Sequence, residues 1–192
     1  MLNKKMFWRH LFSPVYRYYK NRAAVQIKKG LIVYGAPDID IYRGGTLSIG
    51  KNAVLYSISN YTASGASKPC IFRVMEPNAS ISIGDNCRLN GTTIVCATGI
   101  TIGHECLIGA DVMICDTDLH PIHSEHRRQT DEETQSTPVS IGNNVSIGAR
   151  STIFKGVTIG NNSVIGAGSI VMGNIPANVI AAGNPARVLR HI

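Results

Sequence analysis

An aliphatic, β-branched residue recurs at every sixth position between Ile141 and Val171. Glycine usually follows it, and a small residue stands at the fifth position of each repeat. A period of six fits neither an amphipathic helix, with about 3.6 residues per turn, nor a strand, with about two. It is typical of hexapeptide β-helix repeats, in which short strands alternate with turns and the aliphatic residue points inward. An upstream series has the same period with one inserted residue and consists of Ile83, Leu89, Val95, Ile102, Ile108 and Ile114, with Ile49 as an earlier member.

The period predicts an all-β fold, a parallel β-helix over residues 30–176 in which equivalent side chains stack about 4.8 Å apart. Two flanking segments lack the period. Residues 1–29 carry apolar side chains at spacings of two to four, which predicts one or two amphipathic helices interrupted near Pro14. Residues 177–192 leave the period and are predicted to form a short C-terminal tail or helix.

The net charge of +7 is concentrated at the N-terminus. Residues 1–29 contain eight Lys or Arg and no acid, so the rest of the chain carries −1. A nucleic-acid-binding function of the whole domain therefore loses its electrostatic support. Two interpretations of residues 1–29 remain open: contact with a membrane surface through aromatic and basic side chains, or a cap over the open end of the β-helix.

The cysteine pattern favours a reducing compartment. The number of cysteines, five, is odd, and none are spaced as CxxC, so we expect no disulfide framework. We therefore expect a cytoplasmic protein. It would be peripheral at the inner membrane face if residues 1–29 bind lipid. Cys87 and Cys106 fall at the small fifth position, and Cys96 and Cys115 at the second. We interpret them as buried structural thiols.

A charged excursion interrupts the period. After Ile114 an aliphatic residue is due at position 120, but the chain has His120, and the next member is Ile141. We therefore predict an extruded loop over residues 116–138, which also contains His123 and His126. Three interpretations of these histidines compete. His120 could be a general base, since a neutral imidazole is suited to accept a hydroxyl proton. The three histidines could instead form a zinc site, or they could be surface residues without a role.

Together these residues resemble the hexapeptide acyltransferase superfamily, in particular the galactoside, maltose, Nod-factor and polysaccharide O-acetyltransferases. The resemblance implies a left-handed coil and a homotrimer with active sites in the clefts between subunits. It also implies acetyl-CoA along one wall of each cleft and an acceptor hydroxyl entering from the other side. The similarity covers about residues 81–190 and is carried by the motifs LNGTTIVCATGITIGHECLIG, DTDLHPI, VSIGNNVSIGA, IFKGVTIGNNSVIGAGSIV and IPANVIAAGNPARVLR.

The resemblance assigns the general base to His120, the histidine of the HP motif. His123 then becomes a candidate contact to the acceptor or CoA, and His126 a surface residue. No metal is expected, because related β-helix enzymes with a three-histidine metal site draw their ligands from distant coils. Asp116 and Asp118 flank the base, and two roles stay open for them: orienting the imidazole, or accepting hydrogen bonds from turn amides.

The resemblance also supplies the substrate-binding candidates. Asn90, thirty residues before His120, matches an asparagine of the acceptor pocket. The CoA candidates near the thioester are Ser146, Gly148 and Ala149, where backbone N–H groups could stabilise the developing oxyanion. Gly166 and Ala167 would bind the pantetheine or the adenine through the backbone, and Arg187, Arg190 and Lys155 the phosphates.

Two departures from the sugar-modifying relatives affect these sites. The relatives often have tryptophan where this chain has Ser146, and Thr-Lys where it has Met172-Gly173. The first removes a stacking surface for the acceptor, and the second removes a cation near the CoA adenosine.

The sequence thus predicts an acetyl-CoA-dependent O-acetyltransferase acting on a sugar hydroxyl in bacterial surface polysaccharide synthesis. The basic, aromatic residues 1–29 favour an acceptor assembled at the inner membrane face. Acetylation of an antibiotic shares every motif and remains an alternative. A β-helix scaffold without catalysis is a further alternative.

Overall fold

A computed structural model of the chain describes residues 24–63, 65–122 and 134–192. Twenty short strands in these ranges form three sheets, and every pairing but the last is parallel. As far as β18, successive strands along the chain belong to successive sheets, so the chain winds as a coil of triangular cross-section. We call the faces sheets A, B and C, and the edges A–B, B–C and C–A in the direction of the chain.

The strands of each face, in spatial order, are as follows. Sheet A contains β1 (Val25–Ile27), β4 (Thr46–Ile49), β7 (Ser80–Ile83), β10 (Gly99–Ile102), β13 (Val139–Ile141) and β16 (Thr158–Ile159). Sheet B contains β2 (Ile32–Tyr34), β5 (Val54–Tyr56), β8 (Arg88–Asn90), β11 (Leu107–Ile108), β14 (Ser146–Ile147), β17 (Val164–Ile165), β19 (Val179–Gly183) and β20 (Ala186–His191). Sheet C contains β3 (Asp38–Ile41), β6 (Ile71–Val74), β9 (Thr93–Cys96), β12 (Met113–Cys115), β15 (Thr152–Ile153) and β18 (Ile170–Val171).

The six-residue period sets the core, as predicted. Every member from Ile141 to Val171 is at most 1% exposed, and Ile49 pairs in register with Ile83 one coil above. One position was predicted wrongly: Val95 is half-buried, and its neighbour Ile94 is fully buried. The turn at Gly91, with φ 53°, brings the next inward residue five positions after Leu89 instead of six.

All five cysteines are free and buried, in agreement with the prediction of structural thiols. Cys87 and Cys106 precede paired strands of adjacent coils and face the interior. Burial and the neighbouring Asp116 carboxylate raise the pKa of the Cys96 thiol to about 12. At neutral pH this thiol is therefore protonated, and it is unsuited to act as a nucleophile.

Both ends of the coil differ from the expected boundaries. Strand β1 lies inside the range assigned to the N-terminal helices, so the coil begins by Val25. The remainder of that segment, residues 1–23, lies outside the described residues. At the C-terminus, residues 177–192 contain no helix: β19 continues sheet B, and β20 turns back antiparallel against it. Within the described ranges, no helix is long and apolar enough to cross a membrane.

Candidate active site

Most of the predicted binding residues lie on the outer face of sheet B. Outward side chains at the B–C edge form one row, because each strand pairs in register with the next. Ser146 lies on the same face, two positions nearer the A–B edge. We call the edge residues the corner row, which in spatial order contains Tyr34, Tyr56, Asn90, Gly109, Gly148, Gly166 and Ala182.

The upper half of the corner row has no side chain larger than a methyl group. A Cβ at Gly148 would lie 2.4 Å from the amide nitrogen of Ala167, and one at Gly166 would lie 2.7 Å from the Cβ of Ala182. Close stacking of the coils therefore requires glycine here and leaves the backbone bare. A ligand that lies along this edge can thus approach the main chain directly.

Some backbone N–H groups on this edge are available to a ligand. The amides of Ser146 and Gly148, which the sequence offered as oxyanion donors, already donate to Ser163 O and Ile165 O at 3.0 and 2.8 Å. In the part of the chain that the structure describes, the amides of Ala149 and Ala167 donate to no protein acceptor. Ala149 and Ala167 are therefore two donors that the fold leaves for a bound group, whereas the amide of Ala110, which also lacks an acceptor among the described residues, belongs to a buried residue.

A β-bulge brings both candidate arginines to this face. Alternation along β20 would place Arg187 and Arg190 on opposite faces, since they are three residues apart. However, the pairing with β19 shifts at Leu189: Arg190 lies opposite Ile180, and Arg187 opposite Ala182. Because Ile180 and Ala182 both face outward, so do the two arginines. Arg187 thus continues the corner row, and both side chains are exposed.

Asn90 occupies the middle of the corner row and lines a groove of about 320 Å³. Tyr56 and Tyr61 line the groove below it, and Ser146 and Gly109 line it above. Asn90 is half-buried and directly follows Tyr56 in register. The acceptor candidate and the first CoA candidate of the sequence analysis therefore share one groove.

His120 lies on a different edge. The chain leaves the coil after Cys115 at the C–A edge and returns at β13. Two antiparallel segments close the base of the excursion: Thr117 bridges Ser136, and the Asp118 amide donates to Gln135 O at 3.1 Å. His120 itself is exposed, because the chain has left the coil before it reaches the position where the period places a core residue.

The backbone immediately before His120 is unusual. Leu119 has φ 65°, in the left-handed region that bulky residues rarely adopt. Its amide donates to Thr117 Oγ1 at 3.2 Å, and Pro121 after the histidine is buried. Strained backbone of this kind is typical of functional loops, where it fixes the direction of a side chain. Sequence reasoning missed Leu119, since no composition signal marks such a conformation at leucine.

Asp116 binds the turn beneath it. Its carboxylate is fully buried and accepts hydrogen bonds from the amides of Ala97, Thr98 and Gly99 at 2.6, 2.8 and 2.7 Å, and from Thr98 Oγ1 at 2.8 Å. Both oxygens are thus engaged inside the C–A edge. Of the two roles left open for Asp116, the structure favours the turn-amide acceptor, because the carboxylate is fully buried in the coil whereas His120 is exposed.

Asp118 and Lys155 form an ion pair with each other, and each side chain is about one-fifth exposed. Both residues lie at the C–A edge, away from the two arginines on sheet B. The carboxylate of Asp118 thus has a lysine, not an imidazole, as its partner. The expectation that Lys155 joins the arginines at the CoA phosphates finds no support within one subunit.

A second groove lies beside the excursion. It has a volume of about 420 Å³ and is lined by Met75, Glu76, Thr98, Thr117 and Leu119, among others. His123, the second acceptor candidate, lies outside the described residues, as does His126 of the zinc alternative. The groove therefore provides space next to His120 for part of a substrate.

The predicted site residues thus divide between two edges of the coil. Asn90 lies at the B–C edge and His120 at the C–A edge, with the width of sheet C between them. About six residues of extended chain separate these edges, or roughly 20 Å. A side chain cannot span that distance, so one subunit alone does not bring the two candidates together.

Comparison with known proteins agrees with the repeat and the fold. The model of the hexapeptide repeat of succinyl-transferase matches residues 80–115 and 138–172, which flank the excursion. The chain thus contains the hexapeptide repeat over these residues, and its fold is a left-handed parallel β-helix, as the resemblance implied.

The relatives that match the chain are named as acetyltransferases. The chain is 50% identical over 115 residues to the galactoside O-acetyltransferase of Escherichia coli (strain K12), over 59% of this chain and 55% of that protein. A putative acetyltransferase of Saccharomyces cerevisiae is 45% identical over 114 residues, 59% of this chain and 57% of that protein. The chain thus spans slightly more than half the length of these relatives. The structure of a galactoside acetyltransferase in complex with coenzyme A superimposes with a TM-score of 0.58 and 29% identity, over 100% of this chain and 84% of that one.

Proposed function

We propose that this chain is an O-acetyltransferase that moves an acetyl group from acetyl-CoA to a sugar hydroxyl. The observation that carries the proposal is the corner row, which places Asn90, a bare glycine edge and Arg187 in one line, with Arg190 on the same face of sheet B. The similarity to galactoside O-acetyltransferase supports a sugar as the acceptor. The related structure in complex with coenzyme A supports acetyl-CoA as the donor.

The donor set of sheet B fits coenzyme A. Arg187 and Arg190 present guanidinium groups to phosphates at the top of the row. The amides of Ala167 and Ala149 would donate to carbonyl oxygens along the pantetheine and at the thioester. Bound acetyl-CoA would supply the acetyl group as an activated thioester. The arginines would also replace the cation lost at Met172-Gly173.

His120 would act as the general base. The neutral imidazole removes the proton of the acceptor hydroxyl as the oxygen attacks the thioester carbonyl, and it returns the proton to the departing sulfur. The Asn90 amide can both donate to and accept from a sugar hydroxyl, which would hold the acceptor in place. The left-handed backbone at Leu119 would fix the direction of the imidazole.

We further propose a homotrimer as the active form. His120 and Asn90 lie on different edges of the coil, so a complete site needs His120 from one subunit and the corner row from its neighbour. A cyclic trimer places unlike edges of adjacent subunits together at each of its interfaces. The assignment of the acceptor to surface polysaccharide, and of the protein to the cytoplasm, rests on the sequence and stays a prediction.

The test is CoA release from acetyl-CoA in the presence of methyl β-galactoside and a panel of other sugars. We expect His120→Ala to lower kcat by about 10²–10⁴-fold, the usual effect of losing a general base, with binding of acetyl-CoA retained. His104→Asn serves as the matched control, because His104 lies in a turn at the A–B edge where its Nδ1 accepts a hydrogen bond from the Asp85 amide. Full turnover by His120→Ala on a working acceptor would refute the assignment.

A further inference from the structure

We propose that a tyrosine platform, formed by Tyr34, Tyr56 and Tyr61, binds the pyranose ring of the acceptor. The inference rests on the proposed function and assigns residues that determine its specificity. The platform lies at the lower end of the groove that contains Asn90. It extends the corner row on the side of Asn90 opposite the glycine edge.

The three rings form one stack. The centroids of Tyr34 and Tyr56 are 5.1 Å apart with an interplanar angle of 7°, and those of Tyr34 and Tyr61 are 5.0 Å apart at 23°. Tyr34 is therefore held between two rings. Tyr56 and Tyr61, the outer members, both line the groove. A stack of this kind keeps each ring in a fixed orientation, which lowers the entropy lost when a ligand binds against it.

The register places the platform where an acceptor must lie. Tyr56 is the neighbour of Asn90 in the corner row, one coil below, at a spacing of about 4.8 Å. The CoA candidates occupy the coils above Asn90, from Gly148 to Arg187. If the thioester lies near Ser146 and Asn90, the acceptor extends from Asn90 in the remaining direction, and its next contact is Tyr56.

The chemistry of the platform suits a sugar. A pyranose has a flat face of C–H groups and a rim of hydroxyls, so it needs an aromatic face and polar groups at the edge. Tyr56 supplies the face, and Asn90, Arg88 and Ser146 line the same groove with polar groups. Ser146 stands where related sugar enzymes often carry a tryptophan. In this chain Tyr56 and Tyr61, at the other end of the groove, would supply the stacking surface instead.

The decisive measurement compares acceptor kinetics with methyl β-galactoside. We expect Tyr56→Leu to raise the KM for the sugar by about tenfold or more, with the KM for acetyl-CoA and kcat within about twofold of the wild type. Tyr56→Phe keeps the ring and should raise the KM of the sugar less than Tyr56→Leu does. Tyr61→Ala, which alters a turn outside the coil, should weaken sugar binding without affecting the fold.

The matched control is Tyr42→Leu, since Tyr42 is 56% exposed and lies at the C–A edge outside the groove. Saturation-transfer NMR with the same sugar separates this inference from the proposed function. Transfer to the wild type that is lost in Tyr56→Leu supports the platform even if acetyl-CoA is never turned over. No transfer to the wild type, or unchanged sugar KM and NMR signals in Tyr56→Leu and Tyr61→Ala of native oligomeric state, would overturn it.

Discussion

Asp116 lies four positions before His120, yet its carboxylate turns back into the coil. Three backbone amides and one hydroxyl donate to it, and the side chain is fully buried. The sequence could predict a carboxylate beside the base but could not separate an orienting group from a turn acceptor. The distinction depends on which side of the backbone the carboxylate occupies. The order of residues in DTDLH does not reveal this side.

Asp116→Asn should destabilise the fold rather than impair the chemistry. The amide keeps one oxygen and places an NH₂ group against backbone donors, so we expect a loss of about 2–3 kcal/mol and a fall in Tm of about 4–12 °C. At a temperature where the variant is folded, kcat should stay within about threefold of the wild type. Thermal unfolding and initial rates measure the two effects.

Asp118→Asn is the matched control, because that carboxylate pairs with Lys155 at a partly exposed position, where an ion pair contributes little to stability. It should lower Tm less than Asp116→Asn. A large fall in kcat for Asp116→Asn without loss of Tm would instead establish Asp116 as a positioning residue for His120.

At the scale of the element, one turn position recurs at the A–B edge in six successive coils. It is left-handed in each case and is usually asparagine, the side chain that tolerates this conformation best after glycine. Asn144 donates to Asn162 at 3.0 Å, and Asn162 donates to Asn178 at 2.9 Å, so the amides form a ladder. The members are Asn52 (φ 54°), Asn86 (60°), Glu105 (61°), Asn144 (52°), Asn162 (60°) and Asn178 (59°).

Glu105 is the exception in this ladder, so Glu105→Asn should stabilise the protein. The substitution relieves an unfavourable left-handed conformation and can join Asn86 to Asn144 through side-chain amides. We expect a gain of about 1 kcal/mol and a rise in Tm of about 2–4 °C, measured by thermal unfolding. The reverse change, Asn162→Glu, should lower Tm by a similar amount. A rise in Tm for Asn162→Glu would contradict the ladder.

The period predicted these strands and turns well, because each coil needs the same kinds of residue at the same positions. An inward aliphatic residue, a small residue and a turn former are all visible in the chain as printed. The period failed at Val95, because the turn at Gly91 changes the number of residues per face and only the backbone conformation reveals that. The bulge at Leu189, which aligns the two arginines, escaped prediction for the same reason.

At the scale of the molecule, the decisive fact is the placement of His120 and Asn90 on different edges. The sequence gives their separation as thirty residues, but the number of residues per face decides where each one emerges. Asn90 ends a strand of sheet B, and His120 follows a strand of sheet C. One subunit therefore does not bring the two candidates together, which sequence spacing alone does not reveal.

Mixed oligomers test this arrangement directly. His120→Ala and Asn90→Ala should each be inactive or nearly so when expressed alone. If each site takes His120 from one subunit and Asn90 from the next, coexpression in equal amounts restores about a quarter of the sites, because each partner supplies an intact residue with a chance of about one half. Coexpression with differently tagged chains, purification of the mixed species and measurement of CoA release per subunit give the fraction.

The control is a mixture of His120→Ala with a second copy of the same variant under the other tag, which should stay inactive. The double variant mixed with the wild type is a second control. It should retain about a quarter of the wild-type activity when the two residues come from different subunits, but about a half when they come from the same one. Failure of the two single variants to complement each other, together with activity near one half in the second mixture, would place the site within a single subunit. The roughly 20 Å between the two edges makes that outcome incompatible with the observed coil.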